Sequence, residues 1–246
     1  MKQKVVAEGK KLYKSEMASW YGTDLFFHDY TNKSNVGGYF SYTEGAENKC
    51  VFFSRASQPR VIGTIVFDDS FDTKKAMVYL EERDLTAVEH KLFLIRQGAI
   101  EEVRRDTSLF KYYQGMNLNF VPLLGEKENK VYVLTGPTEH GIVVFGNDYL
   151  LTFDKKNQLK SKKALHKNII PIAYNPQQKA QTTLHNHLHE TGDLMTATDI
   201  CTLMLYGKFT GWKQHNVVSE KYLNVWNFET EDLYVIPMDA LKKMDK

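Results

Sequence analysis

The stretch LHNHLHETGDLMTATDI, Leu184 to Ile200, joins three kinds of local signal in one run. Histidines two residues apart in an extended segment point to the same side of a strand, so the imidazoles of His185 and His187 can converge on one ion. Glu190, Thr191, Gly192 and Asp193 then read as a turn, and Thr196 with Asp199 begins a helix in the manner of a capping box. A strand, a tight reversal and a helix start would bring Asp199, in the first helical turn, back over the strand end as a third, oxygen ligand. Three protein ligands leave a position for water, the arrangement of a catalytic zinc. One divalent ion, zinc first among them, is therefore expected here.

Working outward, Thr196 to Tyr206 reads as a helix ended by Gly207, and VVSEKYLNVWNF as a hairpin. Met238 to Lys246 is a final helical turn. Upstream, NLNFVPLL, KVYVLTG, GIVVFG and DYLLTFD are strands with short turns between them, followed by LKSKKALHKNIIPI and a loop from Tyr174 to Gln181. Leu85 to Phe110 carries a helix, placed at 86–105. Thr86 and Glu89 form its capping box, Leu92, Ile95, Ala99 and Val103 recur on one face, and its charges fall opposite. From Tyr30 to Phe67, glycine and proline turns divide YFSYT, KCVFFS and RVIGTIVF into a meander of strands. Lys4 to Ser19 has rough helical spacing, weakened by Gly9. The expected fold class is α+β, a mixed and mainly antiparallel sheet flanked by helices. Residues 1–110 form a β-rich N-terminal region and 111–246 a metal-binding domain, with a boundary within Lys111 to Lys130.

Composition narrows the function. Of 246 residues, 42% are hydrophobic and 25% charged, enough for a proper core without staples, and 14 Tyr with 14 Phe tilt the fold towards strands. A net charge of +2 from 32 basic and 30 acidic side chains spread along the chain provides no field for nucleic acid or an anionic membrane. Lys155 to Lys167, the one local basic stretch, reads as a solvated loop. No apolar run approaches a membrane span, and Met1 to Lys14 is charged where a signal peptide would be apolar. A soluble protein is expected, cytoplasmic or a mature exported form. Cys50 and Cys201 are no disulfide framework, and Cys201 inside ICTLMLY reads as a small buried hydrophobe. Phosphate-binding loops, serine-hydrolase elbows, His-Glu-x-x-His helices and the zinc-deaminase signature are all missing.

The segment resembles the JAB/MPN metalloprotease family, whose motif is a distant glutamate, then His-x-His, then Ser-x-x-Asp at a helix start. The words HNH and GD followed by a hydroxyl-x-x-Asp-Ile are similar to its bacterial branch found in proteins annotated for DNA repair. The resemblance covers roughly residues 130–237. It implies a sheet flanked by helices and zinc-dependent hydrolysis of an amide or isopeptide bond in a peptide or protein substrate. It further implies His185, His187 and Asp199 as zinc ligands and Thr196 at the place of the serine that steadies an oxyanion. Leu188 stands in place of the family's proline, and the interval from His187 to Asp199 is one residue longer than the common pattern. The general base is assigned to Glu139, because EHGIVVFG is similar to the family's Glu, Gly and apolar strand. His189 and Glu190 are expected beside the ligands rather than among them, and His166 and His215 to be structural. The competing expectation is a catalytically inactive relative that grips a peptide or glycan with an aromatic surface around Trp212, Tyr222 and Trp226.

Overall fold

The computed structural model describes residues 2–175 and 182–244. It has an α+β fold of four α-helices and fourteen strands among the described residues, in mostly antiparallel sheets. Strands β1 (Val36–Glu44), β2 (Glu47–Ser54), β3 (Val61–Phe67) and β4 (Met77–Tyr79) form a first antiparallel sheet, the expected meander. Strands β5 (Met116–Leu123), β6 (Asn129–Pro137), β8 (Tyr149–Phe153) and β9 (Leu159–Ala164) form a second. β7 (Ile142–Gly146) leaves that run to pair with β10 (Ile169–Ala173). The third four-stranded sheet has β11 (Thr182–Asn186), β12 (Gln214–Val218), β13 (Tyr222–Asn227) and β14 (Asp232–Pro237), with β11 and β12 parallel and the rest antiparallel. α4 (Met238–Met244) is the expected final turn. Of the loop expected over Tyr174 to Gln181, residues 176–181 lie outside the described residues.

Helix α1 runs from Lys2 to Asp29, ten residues past the expected end at Ser19. Gly9 lowers its helix propensity by about 1 kcal/mol relative to Ala. A Cβ there would stand 2.7 Å from Ile200 Cβ, so the glycine is the point where α1 crosses α3 (Ala197–Thr210). Further along, Leu12 packs with Val121, Ala197 and Cys201, and Phe26 stacks on Phe52 at 3.8 Å, so one helix serves several sheets. A buried ring of Phe size contributes about 2–3 kcal/mol by leaving water, which outweighs the glycine.

Helix α2 (Ala87–Arg105) keeps both halves of its capping box and buries Leu92, Ile95, Ala99 and Val103 as expected. Its charges do not all fall opposite. Glu89 is buried and held by both terminal nitrogens of Arg83 at 2.6 and 2.7 Å, and Glu102 is buried against Lys162 and Arg105. Periodicity marks the apolar face; it does not foresee a cation arriving from another element. Helix α3 does not stop at Gly207 but runs to Thr210, where Gly211 at φ 66° provides the left-handed terminator. Gly207 is internal because Phe228 packs where its side chain would be. Among the described residues no helix is long and apolar enough to cross a membrane.

Candidate metal centre

His185 sits on β11, and its side chain faces inward while Leu184 and Asn186 are exposed. The parallel ladder continues one residue past the strand, with the His187 N–H donating to the Val218 carbonyl at 2.9 Å, so His187 keeps the same inward face. The chain then reverses through a turn in which the N–H groups of Thr191 and Gly192 donate to the Leu188 carbonyl, Gly192 taking φ 98°. Asn224 fastens the approach to α3: its Nδ2 donates to the Asp193 carbonyl at 2.9 Å and its Oδ1 accepts from the Met195 N–H at 3.4 Å. Helix α3 starts on the expected capping box, the Thr196 N–H donating to Asp199 Oδ2 at 2.7 Å and Thr196 Oγ1 accepting from the Asp199 N–H at 3.1 Å. The capping geometry is thus what aims Asp199 at the strand end.

A fourth residue joins them. His166, expected to be structural, comes from the loop between β9 and β10, and His166, His185, His187 and Asp199 each place one donor atom within 4.8 Å of the others. All four are buried, at 5%, 3%, 7% and 1% exposure. From Asp199, Oδ2 stands 3.2 Å from His187 Nε2, and Oδ1 stands 3.4 Å from His166 Nε2 and 3.7 Å from His185 Nε2. The Nε2 atoms of His166 and His187 are 3.1 Å apart. Donors about 2.05 Å from a tetrahedral ion stand about 3.3 Å from one another; the contacts of 3.1 to 3.7 Å lie near that value, and the wider separations, up to 4.8 Å, would have to close by small side-chain rotations around a small cation. The unsatisfied atoms point the same way, for His185 Nε2 and Asp199 Oδ1 are buried without a hydrogen-bond partner. Leaving such atoms unpaired in the interior costs about 1–3 kcal/mol each.

Behind the donors stands a layer that orients them. Asp148 Oδ1 accepts from His166 Nδ1 at 2.8 Å, which leaves Nε2 free to face the cluster. Asp148 is placed by the β7–β8 turn, where Gly146 takes φ 81° and passes so close to Asn168 that a Cβ would lie 2.1 Å from its carbonyl oxygen. The next residue, Asn147, is locked by Lys111, Thr135 and Tyr149. His185 Nδ1 meets His215 Nε2 at 2.8 Å, and His215 Nδ1 meets Thr183 Oγ1 at 2.8 Å. If the proton on His185 sits at Nδ1 and donates to His215, the latter donates onward to the threonine, and His185 Nε2 keeps its lone pair for an ion. Phe145 stacks on His215 at 4.8 Å and Trp212 at 5.8 Å, and the ring is fully buried, which favours its neutral form.

The charges sort accordingly. Burial pushes the His166 imidazolium down, but the carboxylates of Asp148 and Asp199 push it up further, to about 9. His185 is lowered to about 4, chiefly by burial, with His187 and His166 adding like-charge repulsion, and His215 to about 3 by burial and His185. Burial alone would raise the Asp199 carboxyl; the imidazoles of His166, His187 and His185 hold it well below the usual range.

The other expected site residues lie elsewhere. Glu139 is exposed in the turn between β6 and β7, whereas Phe145, near the far end of β7, is the residue that touches His185. Thr196 borders the site, but its hydroxyl is engaged by the Asp199 N–H and by Thr198 Oγ1 at 2.8 Å. His189 and Glu190 are on the surface after the strand ends, 3.6 Å from Glu220 and 4.0 Å from Lys167 respectively, so neither stands behind the ligands. Trp212 and Trp226, expected on an aromatic surface, are buried in the core with Leu203, Val217 and Leu233, because the apolar residues of β12 to β14 close over them. Cys201 is buried and unpaired with Cys50, as expected. No family model, curated protein or solved structure matches the chain.

Proposed function

We propose that this protein binds one divalent metal ion through His166, His185, His187 and Asp199, with zinc the ion that suits the donors best. The observation that carries the reading is the pair of buried atoms without a hydrogen-bond partner, His185 Nε2 and Asp199 Oδ1, in a cluster whose donor atoms lie within 4.8 Å of one another. Three imidazoles and one carboxylate suit a borderline cation, and the net charge of the set, one minus, suits a dication. Four protein donors complete a tetrahedral shell, and burial of all four fits an ion that holds β11, α3 and the β9–β10 loop together. On this reading the protein is a catalytically inactive JAB/MPN-like binding or scaffolding protein that recognises a peptide or glycan.

A second reading, hydrolysis of an amide or isopeptide bond, is favoured by one observation. The donor set has no thiolate, and histidine with carboxylate is the usual composition of catalytic zinc sites, where the ion supplies Lewis acidity. A cavity of about 760 Å³ lined by Thr191, Met195 and Thr196 reaches the start of α3 and offers room for a substrate chain.

Metal analysis of the purified chain tests the first reading, with one ion per chain expected and loss of it in His187→Ala. Cobalt substitution gives a readout that does not need the variant: intense visible bands mean four-coordination, weak ones a larger shell. A chain that takes up neither metal overturns the proposal. The readings then separate by assaying the loaded protein on isopeptide-linked substrates: turnover abolished by chelation supports hydrolysis, and its absence supports the binding protein. Glu139→Gln is expected to leave metal content and any turnover unchanged.

A further inference from the structure

On helix α1, Glu16 and Trp20 share one face, four residues apart, and that face borders a cavity of about 260 Å³. Tyr39 from β1, Asn119 from β5 and Tyr206 from α3 close its other sides. Glu16 Oε2 accepts a hydrogen bond from Asn119 Nδ2 at 3.1 Å, and Oε1 has no partner among the described residues. Among the described residues no lysine, arginine or histidine pairs with this carboxylate, in contrast to the buried Glu89 and Glu102, each of which has its cation. Burial accordingly pushes the Glu16 carboxyl up to about 7, with the Asn119 bond opposing.

Three aromatic rings, Trp20, Tyr39 and Tyr206, line the same cavity. Trp20 lies 6.3 Å from Tyr206 and stacks on Phe209 at 6.0 Å, and Trp20 and Phe209 are 40% and 44% exposed. Large apolar rings held at a surface around a lone carboxylate favour an organic cation, which gains from both the ring faces and the charge. From Trp20, Pro137 and Tyr206 the groove continues into a smaller cavity of about 140 Å³ lined by Phe209 and Glu139. A second carboxylate at the mouth biases entry in the same sense. An anion would be repelled, and an uncharged ligand would leave Glu16 without a counter-charge.

We propose that this cavity binds the ammonium group of an alkylamine, with Glu16 as its charge partner and Trp20, Tyr39 and Tyr206 as its walls. The site does not rest on the metal centre, since none of its residues belongs to that cluster. The amine is either free or a lysine side chain of a partner, and the same measurement separates these sources.

The full chain is titrated, by calorimetry or by amide NMR shifts, with n-butylammonium, with Nα-acetyl-lysine methylamide, and with Nα-acetyl-norleucine methylamide, which has the same side chain without nitrogen. Saturable binding of the amines but not of the norleucine probe is expected. Tighter binding of the lysine probe assigns a lysine side chain; equal binding assigns the amine alone. Glu16→Gln keeps the acceptor for Asn119 and should weaken binding at least roughly tenfold. Trp20→Ala, at a partly exposed position, should weaken it too, and decides the matter if Glu16→Gln does not fold. No saturable binding of either amine, norleucine binding as well as lysine, or wild-type affinity in both variants overturns the proposal.

Discussion

Asp199, fully buried, and Glu16, half-buried at the edge of a cavity, are carboxylates on helices that cross each other, yet their surroundings drive them in opposite directions. Three imidazoles surround Asp199 and hold it ionised, whereas Glu16 has one amide and is held towards its neutral form. Desolvation pushes both carboxyls up, and what turns the outcome is whether opposite charge arrives from other elements. Around Asp199 the charge is present, and two of the buried atoms there are left without a hydrogen-bond partner, as in a cluster that could hold an ion. Around Glu16 it is missing, and the empty place is a cavity.

The largest test of that contrast is Asp199→Asn. Removing the one negative donor leaves Asp148, behind His166, as the counter-charge nearest the imidazoles, and a loss of about 3–5 kcal/mol in unfolding free energy is expected with loss of bound metal. Denaturant titration and metal analysis on the same preparation check it. Wild-type stability with full metal content would break the comparison at its stronger end.

Glu16→Gln should act with the opposite sign. Because the folded-state pKa, about 7, lies above the ordinary 4.5, the group's favourable contribution is complete below 4.5 and is lost as pH rises through 7. The variant, which cannot ionise, should match wild type near pH 4 and exceed it above pH 8 by up to roughly 3 kcal/mol. Denaturation midpoints at the two pH values read this directly, and a difference independent of pH would refute it.

Asp148→Asn sharpens the comparison more finely. With His166 raised to about 9 by Asp148 and Asp199, metal uptake at neutral pH must expel its proton, so affinity should climb with pH up to about 9. The variant keeps a side-chain acceptor but not its charge. It should weaken metal binding about 10–100-fold, and flatten the climb. Calorimetry in buffers of different ionisation enthalpy counts the protons released. A release unchanged in the variant would remove His166 from the shell.

How much of this was legible depended on distance along the chain. His185 and His187 show their common side by strand alternation alone, and Thr196 with Asp199 shows a helix start by a capping box, so three donors could be named from seventeen residues. His166 could not. It lies between two strands that pair with other partners, and no periodicity links it to β11. Asp148, in a Gly-Asn-Asp turn, carries the signal of a turn and nothing of the histidine it orients. Glu139 was chosen by likeness of local words, and those words specify the start of a strand without specifying which end of it meets the site.

By itself the sequence determined the helix and strand boundaries that hydrophobic period and turn chemistry control: the meander of β1 to β3, the capped start of α2 and the reversal from β11 to α3. Those signals act over a few residues, within reach of one hydrogen bond or one turn. Only the tertiary structure decided which buried charge is neutralised and which is not. That depends on side chains such as His166 or Asn119 delivered by other strands, and the electrostatic free energy of a buried group is set by all its neighbours at once. The strand, turn and helix at Leu184 to Ile200 could thus be read as three quarters of a cluster that could hold a metal ion, while its fourth member and the unpaired Glu16 emerged only when the sheets closed around α1 and α3.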